Sequence, residues 1–135
     1  MLMQPRKMKF RKSFRGKMPG NSSRGSDLVF GKFGIKATTR SWLTARQIES
    51  ARRAMTRLFK REGQIWIRVF PDRPVSAQPA EVGMGGGKGA PDHFVVTVTP
   101  GRIIFEMDGI NNTLAKEAFR LASHKLPVKT KFIEK

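Results

Sequence analysis

The sequence predicts an α+β fold: a mostly antiparallel sheet sandwich with two main helices, plus a basic N-terminal extension. Three observations predict it. Two segments repeat apolar residues at the three- and four-residue spacing of a helix. Several other segments, not adjacent to one another, are rich in β-branched and aromatic residues. The first 25 residues contain no acid and carry a basic residue at almost every third position. Two helices among separated strands are typical of the α+β class.

The length of 135 residues suits one compact domain with a short appendage. We expect residues 1–25 to be a basic extension, and residues 26–135 to be one domain with a glycine-rich loop at 76–90. Cysteine is absent, so the chain has neither a disulfide framework nor a thiolate metal site. No apolar run approaches the ~18 residues that a membrane span requires. These features favour a soluble protein of a reducing compartment.

The first helix is predicted over residues 44–61. Thr44 and Gln47 form a capping-box pair, in which each side chain bonds the backbone amide of the other residue. The apolar stripe consists of Ile48, Ala51, Met55, Leu58 and Phe59. The opposite face is basic and consists of Arg46, Arg53, Arg57 and Lys60, with Arg61 beside them. Gly63 is expected to adopt the left-handed conformation that ends a helix.

A second helix is predicted from a cap at Asn111, Asn112 or Thr113 to about Lys125. Its buried stripe is expected to consist of Leu114, Ala118, Leu121 and Ala122. Pro127 follows, and a proline cannot continue a helix.

Strands are predicted, from composition and alternation, over residues 64–70, 93–99, 102–107 and 129–134, with a short bent strand or hairpin within 27–40. Pro71, Pro74 and Pro79 are expected to turn the chain into a loop. Pro100-Gly101 suits a type II turn, so the strands on either side are expected to pair as a hairpin.

Charge indicates the kind of partner. The chain has 27 Lys and Arg against 10 Asp and Glu, a net charge of +17. A positive field of this density is typical of nucleic-acid binding, with an anionic lipid surface as the alternative. The extension cannot fold alone, because its charges repel and its Gly, Pro and Ser residues keep the backbone loose. We expect it to be disordered until a polyanion neutralises it.

No catalytic centre is evident. His93 and His124 are far apart and lack the spacing of metal ligands, the acids are scattered singly, and neither Cys nor Tyr occurs. We therefore expect no enzyme activity, no cofactor and no metal. The glycine loop is not a P-loop, because Lys88 is followed by Gly89 rather than by Ser or Thr. It is either a strip whose backbone approaches RNA closely or a disordered surface loop.

Seven stretches, in order along nearly the whole chain, resemble a known family. They are PRKMKFRK at 5–12, FGKFG at 30–34, LTARQIE at 43–49, ARRAMTR at 51–57, IWIRVFPD at 65–72, PGRIIFEM at 100–107 and KLPVKTKF at 125–132. The family they resemble is the bacterial-type large-subunit ribosomal protein L-sixteen family.

The resemblance implies an α+β protein wedged into large-subunit rRNA near the central protuberance. It implies large-subunit rRNA, tRNA and neighbouring ribosomal proteins as partners, with no membrane and no homo-oligomer. The location is then the ribosome, in the cytoplasm or in an organelle. The basic residues expected at rRNA are Arg6, Lys7, Lys9, Arg11, Lys12, Arg15, Lys17, Arg24, Arg40, Arg46, Arg53, Arg57, Lys60 and Arg61. The alternative is a free-standing nucleic-acid binder or RNA chaperone.

The resemblance also directs the glycine loop toward tRNA near the peptidyl-transferase region. The residues expected closest to tRNA are Met84, Gly85, Gly87, Lys88 and Gly89. The family loop usually reads RMGKGKG, whereas residues 83–89 here read GMGGGKG. Since two cations are missing, we expect the tRNA contact to be weaker than in relatives that carry them.

Overall fold

Seven strands and two helices make up the fold in a computed structural model that describes residues 3–135. In chain order they are β1 (Phe33–Ala37), β2 (Ser41–Thr44), α1 (Ala45–Phe59), β3 (Gln64–Ile67), β4 (Arg73–Ala77), β5 (Ala90–Val98), β6 (Ile103–Asp108), α2 (Asn112–Ser123) and β7 (Thr130–Glu134). The predicted α+β class is confirmed. Within residues 3–135, no helix is long and apolar enough to cross a membrane.

The strands form two antiparallel sheets, and the predicted hairpin of β5 with β6 is wrong. The four-stranded sheet has the order β3-β6-β1-β7, and the three-stranded sheet has the order β2-β5-β4. The turn itself forms as expected: Gly101 has a φ of 99°, and the Arg102 amide donates to the Thr99 carbonyl at 3.2 Å. It therefore carries the chain from one sheet to the other instead of closing a hairpin.

Two short strands, β2 and β4, lie where no strand was expected. The proline-rich segment was predicted as loop, yet Pro74 lies within β4 opposite Phe94. This is possible because β4 is an edge strand, where a residue without an amide hydrogen need not break a ladder. The irregular part of the glycine loop is consequently residues 78–89, shorter than the predicted 76–90. The segments predicted at 27–40 and 64–70 are strands only over 33–37 and 64–67.

Helix α1 begins as predicted but ends differently. The Thr44 hydroxyl accepts from the Gln47 amide at 3.2 Å, and the Gln47 carbonyl oxygen accepts from the Thr44 amide at 3.0 Å. The left-handed residue that ends the helix is Lys60, with a φ of 49°, and not Gly63. Gly63 is also left-handed, but it serves a close approach: a Cβ there would lie 2.6 Å from the Asp108 carbonyl oxygen.

The apolar stripes of both helices face the core, and the helices pack against each other. In α1 the fully buried residues are Ile48, Ala51, Met55 and Phe59, while Leu58 is half-buried. In α2, capped by Asn111, they are Ala115, Ala118 and Ala122. Leu114 and Leu121, expected in that stripe, are only half-buried. Because these buried residues of α2 are small alanines, α1 and α2 can pack closely against each other.

Candidate nucleic-acid interface

The basic face of α1 lies opposite its buried stripe. Its predicted members are all exposed: Arg46, Arg53, Arg57, Lys60 and the neighbouring Arg61. A guanidinium group on this exposed helix face can donate two parallel hydrogen bonds to the oxygens of one phosphate group. The separation of the two faces was predictable because it follows from helical periodicity alone.

Glu49 modifies this face in a way that the sequence analysis missed. Its carboxylate accepts from Arg52 Nε at 2.9 Å and from Arg53 Nε at 3.0 Å. The hydrogen bond from Arg52 is the main cause that lowers the pKa of Glu49 to about 2, against the opposing effect of burial and with further help from Arg53. Glu49 is therefore ionised and partly neutralises Arg53. Arg46, Arg57 and Lys60 form the more strongly cationic part of the face.

The N-terminal extension lies against the domain. Met3 is 7% exposed and belongs to the hydrophobic core. The basic side chains of the extension all remain exposed: Arg6, Lys7, Lys9, Arg11, Lys12, Arg15, Lys17 and Arg24. Phe10 and Phe14 are exposed by 69% and 92%. The expected disorder of this segment without RNA stays a prediction, which backbone NMR of the free protein tests.

The extension also contacts the base of the glycine loop. Lys12 Nζ donates to the Lys88 carbonyl at 2.9 Å, and Lys88 Nζ donates to the Ser13 carbonyl. Arg73, at the start of β4, donates to the carbonyls of Phe14 and Arg15. These bonds bring two predicted regions, the basic extension and the loop, into one continuous cationic surface.

The tip of the loop is fully exposed. Gly85, Gly86 and Gly87 have φ values of 116°, 79° and 91°, which side-chain-bearing residues rarely adopt. Met84 projects entirely into solvent, and Gln78 closes the loop with a 2.9 Å bond to the Gly87 carbonyl. Lys88 lies at the base of the loop and not at its tip.

A buried carboxylate that the sequence analysis did not single out positions the segment before β1. Glu106 in β6 has no solvent exposure. Its Oε1 accepts from the amides of Val29, Phe30 and Gly31 at 2.8, 2.9 and 3.0 Å, and its Oε2 pairs with Arg68. We call this arrangement the Glu106 clamp. The signal was present in the sequence, because a single acid interrupts the apolar run IIFEM and a buried acid requires partners.

The charge of the clamp is maintained by its partners. Burial raises the pKa of Glu106, but hydrogen bonds from Gly31, Arg68, Val29 and Phe30 lower it more, so the pKa lies below its usual range. Arg68 also lies over the Phe30 ring at 5.4 Å, and Phe30 stacks on Trp66 at 6.0 Å. The clamp thus fixes a half-exposed aromatic ring beside the four-stranded sheet.

Neither histidine is placed as a metal ligand. His93 Nδ1 lies 2.7 Å from the Asp92 carboxylate at an exposed position, and His124 caps the end of α2. Within the described part of the chain, no group of three or more His, Cys, Asp or Glu residues could hold a metal ion.

A small, strongly basic α+β domain with a cationic helix face, a cationic extension and an exposed glycine loop is typical of proteins that bind RNA. The sequence profile of the family "Ribosomal protein L16p/L10e" matches residues 5–133, and the chain belongs to that family. The predicted family resemblance is therefore confirmed.

Two similar proteins carry the name "Large ribosomal subunit protein uL16". The protein from Azobacteroides pseudotrichonymphae is 58% identical over 132 residues, covering 98% of this chain and 92% of the relative. The protein from Bacteroides thetaiotaomicron is 57% identical with the same coverage. The similarity therefore includes the extension, both helices and the glycine loop.

Proposed function

We propose that this protein is a structural constituent of a bacterial-type large ribosomal subunit, where it binds large-subunit rRNA and supports assembly and translation. Membership of a ribosomal protein family over residues 5–133 supports this role. The structural observation that carries it is the exposure of the basic face of α1, whose opposite stripe packs into the core through the buried residues Ile48, Ala51, Met55 and Phe59. Such a face is free to contact phosphates while the helix remains anchored in the domain.

The rRNA contacts are of two kinds. Arg46, Arg57 and Lys60 on α1 present a rigid array of cations, which positions the domain on the RNA backbone. The extension supplies a second set of cations from Arg6 to Arg24, together with Arg40, whose guanidinium donates to the Gly20 carbonyl at 3.2 Å. The exposed rings of Phe10 and Phe14 are suited to stack on unpaired bases.

The glycine loop approaches tRNA in this proposal. Its left-handed glycines and its exposed tip, which includes Met84, Gly85 and Gly87, allow the backbone to come close to a nucleotide. Lys88 and Gly89 lie at the base, where Lys88 is bonded to the extension. Contact at the tip is therefore mediated mainly by backbone groups.

Sedimentation of cell extracts that contain a tagged full-length chain tests the ribosomal role. We expect nearly all of the protein in the large-subunit fraction, stable to moderate salt. One variant replaces three basic residues of the α1 face by Gln: Arg46, Arg57 and Lys60. A matched control removes the same charge around α2 and β7: Lys116, Lys129 and Lys131, all exposed.

The first variant should leave the particle at lower salt than the control. Equal release of both variants would contradict the assignment of the α1 face. Wild-type protein spread over all fractions would instead indicate a free-standing RNA binder, and the ribosomal role would fail.

A further inference from the structure

A cleft of about 210 Å³ lies on the outer face of the three-stranded sheet. We call it the tail cleft; its lining residues are Ser13, Phe14, Arg15, Trp42, residues 73–76 and Lys88. Trp42 is opposite Thr97, and Arg73 is opposite Val95. Since Thr97 and Val95 are two residues apart on β5, Trp42 and Arg73 lie on the same face. Leu43, on the other face, belongs to the core, so the tail cleft faces away from the core.

The tail cleft concentrates positive charge. Arg15, Arg73 and Lys88 line it, and its lining residues include no acid. The guanidinium carbons of Arg15 and Arg73 lie 5.5 and 5.3 Å from the centroid of the Trp42 ring. One indole is therefore shared by two cations. The electron-rich ring attracts each of them, but it does not neutralise the repulsion between them.

The hydrogen-bond partners of the Arg73 and Lys88 side chains are neutral. Arg73 donates to the carbonyls of Phe14 and Arg15, and Lys88 donates to the carbonyl of Ser13. Carbonyl oxygens satisfy the donors without compensating their charge, whereas a phosphate oxygen does both and forms stronger bonds. A bound anion would therefore replace the carbonyl oxygens of residues 13–15 as the acceptor for Arg73 and Lys88.

Two further polar groups of the cleft lack partners. Trp42 Nε1 and Ser76 Oγ are shielded from solvent, and neither has a hydrogen-bond partner among the described atoms. An indole N–H is only a donor, so it can be satisfied only by an acceptor. Buried polar groups are normally paired, and those left unpaired point to a missing partner.

We propose that the tail cleft binds a phosphate group of an RNA chain. This inference rests on the proposed RNA-binding function and locates one specific contact within it. Arg15, Arg73 and Lys88 hold the phosphate, and the Trp42 indole N–H donates to one of its oxygens. Binding displaces the carbonyls of residues 13–15 from the cations. The same event therefore repositions the extension and the base of the glycine loop.

The indole N–H signals of the 15N-labelled full-length chain test the proposal. The chain has two tryptophans, and Trp66→Phe assigns the signal of Trp42. Titration with a uridine dodecamer should move the Trp42 indole signal downfield, as expected when this N–H gains an anionic acceptor. The double variant Arg73→Gln and Lys88→Gln should lose that movement and bind the dodecamer several-fold more weakly.

The control Lys116→Gln with Lys131→Gln removes the same charge outside the cleft, and should retain the movement of the Trp42 signal. The remaining amide spectrum reports whether each variant is folded. Dodecamer binding is measured separately by fluorescence anisotropy.

If the dodecamer binds but the Trp42 signal does not move, the cleft assignment is wrong while RNA binding stands. If the dodecamer does not bind at all, the assignment of the tail cleft to a phosphate of an RNA chain is wrong, whereas the ribosomal role fails only if sedimentation finds the wild-type protein outside the large-subunit fraction. An equal response to inorganic phosphate alone would overturn the assignment to an RNA chain.

Discussion

Replacing Glu106 by Gln should strongly destabilise the protein, because the Glu106 clamp uses both oxygens of a fully buried carboxylate. One oxygen accepts three backbone amides, from Val29, Phe30 and Gly31, and the other pairs with Arg68. Gln keeps the shape of the side chain but removes the charge. The three amide bonds become neutral ones, and Arg68, whose side chain is only 16% exposed, loses its counter-ion.

The expected loss follows from this geometry. Removing one member of a buried ion pair typically costs about 3–5 kcal/mol, and we expect the lower end because Arg68 retains some solvent contact. A loss of about 3 kcal/mol is a large share of the ~5–15 kcal/mol that stabilises a typical domain. It corresponds to a fall in Tm of about 10 °C for a chain of this length.

Urea unfolding and thermal denaturation measure the loss, and hydrogen exchange at residues 29–31 locates it. The folded pKa of Glu106 is lowered, so its stabilisation is present above the unfolded pKa and is lost as pH falls through the folded pKa. The difference between wild type and variant should therefore shrink in acid. Glu117→Gln, which breaks an exposed pair with Arg120, is the control and should not move the midpoint measurably. A loss below about 0.5 kcal/mol, within the range of ordinary surface substitutions, or unchanged exchange at residues 29–31, would refute the clamp.

Three further predictions concern the RNA-facing surface. Arg57→Gln should reduce the salt dependence of RNA binding by about one unit of slope, measured by titration at several salt concentrations; an unchanged slope would mean that Arg57 makes no phosphate contact. Glu49→Gln should free Arg52 and Arg53 from their shared carboxylate and raise the salt dependence of RNA binding by a similar amount. It should also abolish a pH-dependent stabilisation that is present above pH 4.5 and lost as pH falls toward the lowered pKa of about 2, as followed by acid unfolding. Gly83→Arg adds a cation at a position where a Cβ meets no atom within 4 Å, so the side chain fits. The added charge should slow tRNA release from ribosomes by raising the free-energy barrier to release by up to about 1 kcal/mol. Gly86→Lys adds the same charge at a φ of 79°, which costs about 1–2 kcal/mol in backbone strain. Equal release from both variants and wild type would show that cations added at these two positions do not reach tRNA phosphates.

Features that depend on neighbouring residues were predictable from the sequence. The capping box of Thr44 and Gln47, the buried stripe of α1 and its basic face follow from spacings of three and four residues, which a helix converts directly into faces. The Pro100-Gly101 turn was predictable for the same reason, since a turn is defined by four consecutive residues. The family, too, was evident in short stretches of consecutive residues.

Features that depend on distant residues were not. The predicted hairpin of β5 and β6 was wrong because a turn does not determine which strands pair after it. The partners of β5 are β2, which is separated from it by one helix and two strands, and β4, which precedes β5 across the glycine loop. Pro74 suggested a loop because the sequence does not reveal that β4 is an edge strand. The tail cleft joins residues 13–15 to Trp42, Arg73 and Lys88, and no local pattern predicts that meeting.

The fold class, the cationic character of the surface and the faces of the helices follow from composition and from periodicity, which act within a few residues of the chain. Several of the charged contacts, in contrast, depend on the packing of distant segments. Glu106 meets amides 75 to 77 residues away, and Lys88 meets a carbonyl 75 residues away. Such contacts form only when the packed sheets bring distant segments together. The neutralisation of Glu106 and the position of Lys88 therefore depend on the complete fold.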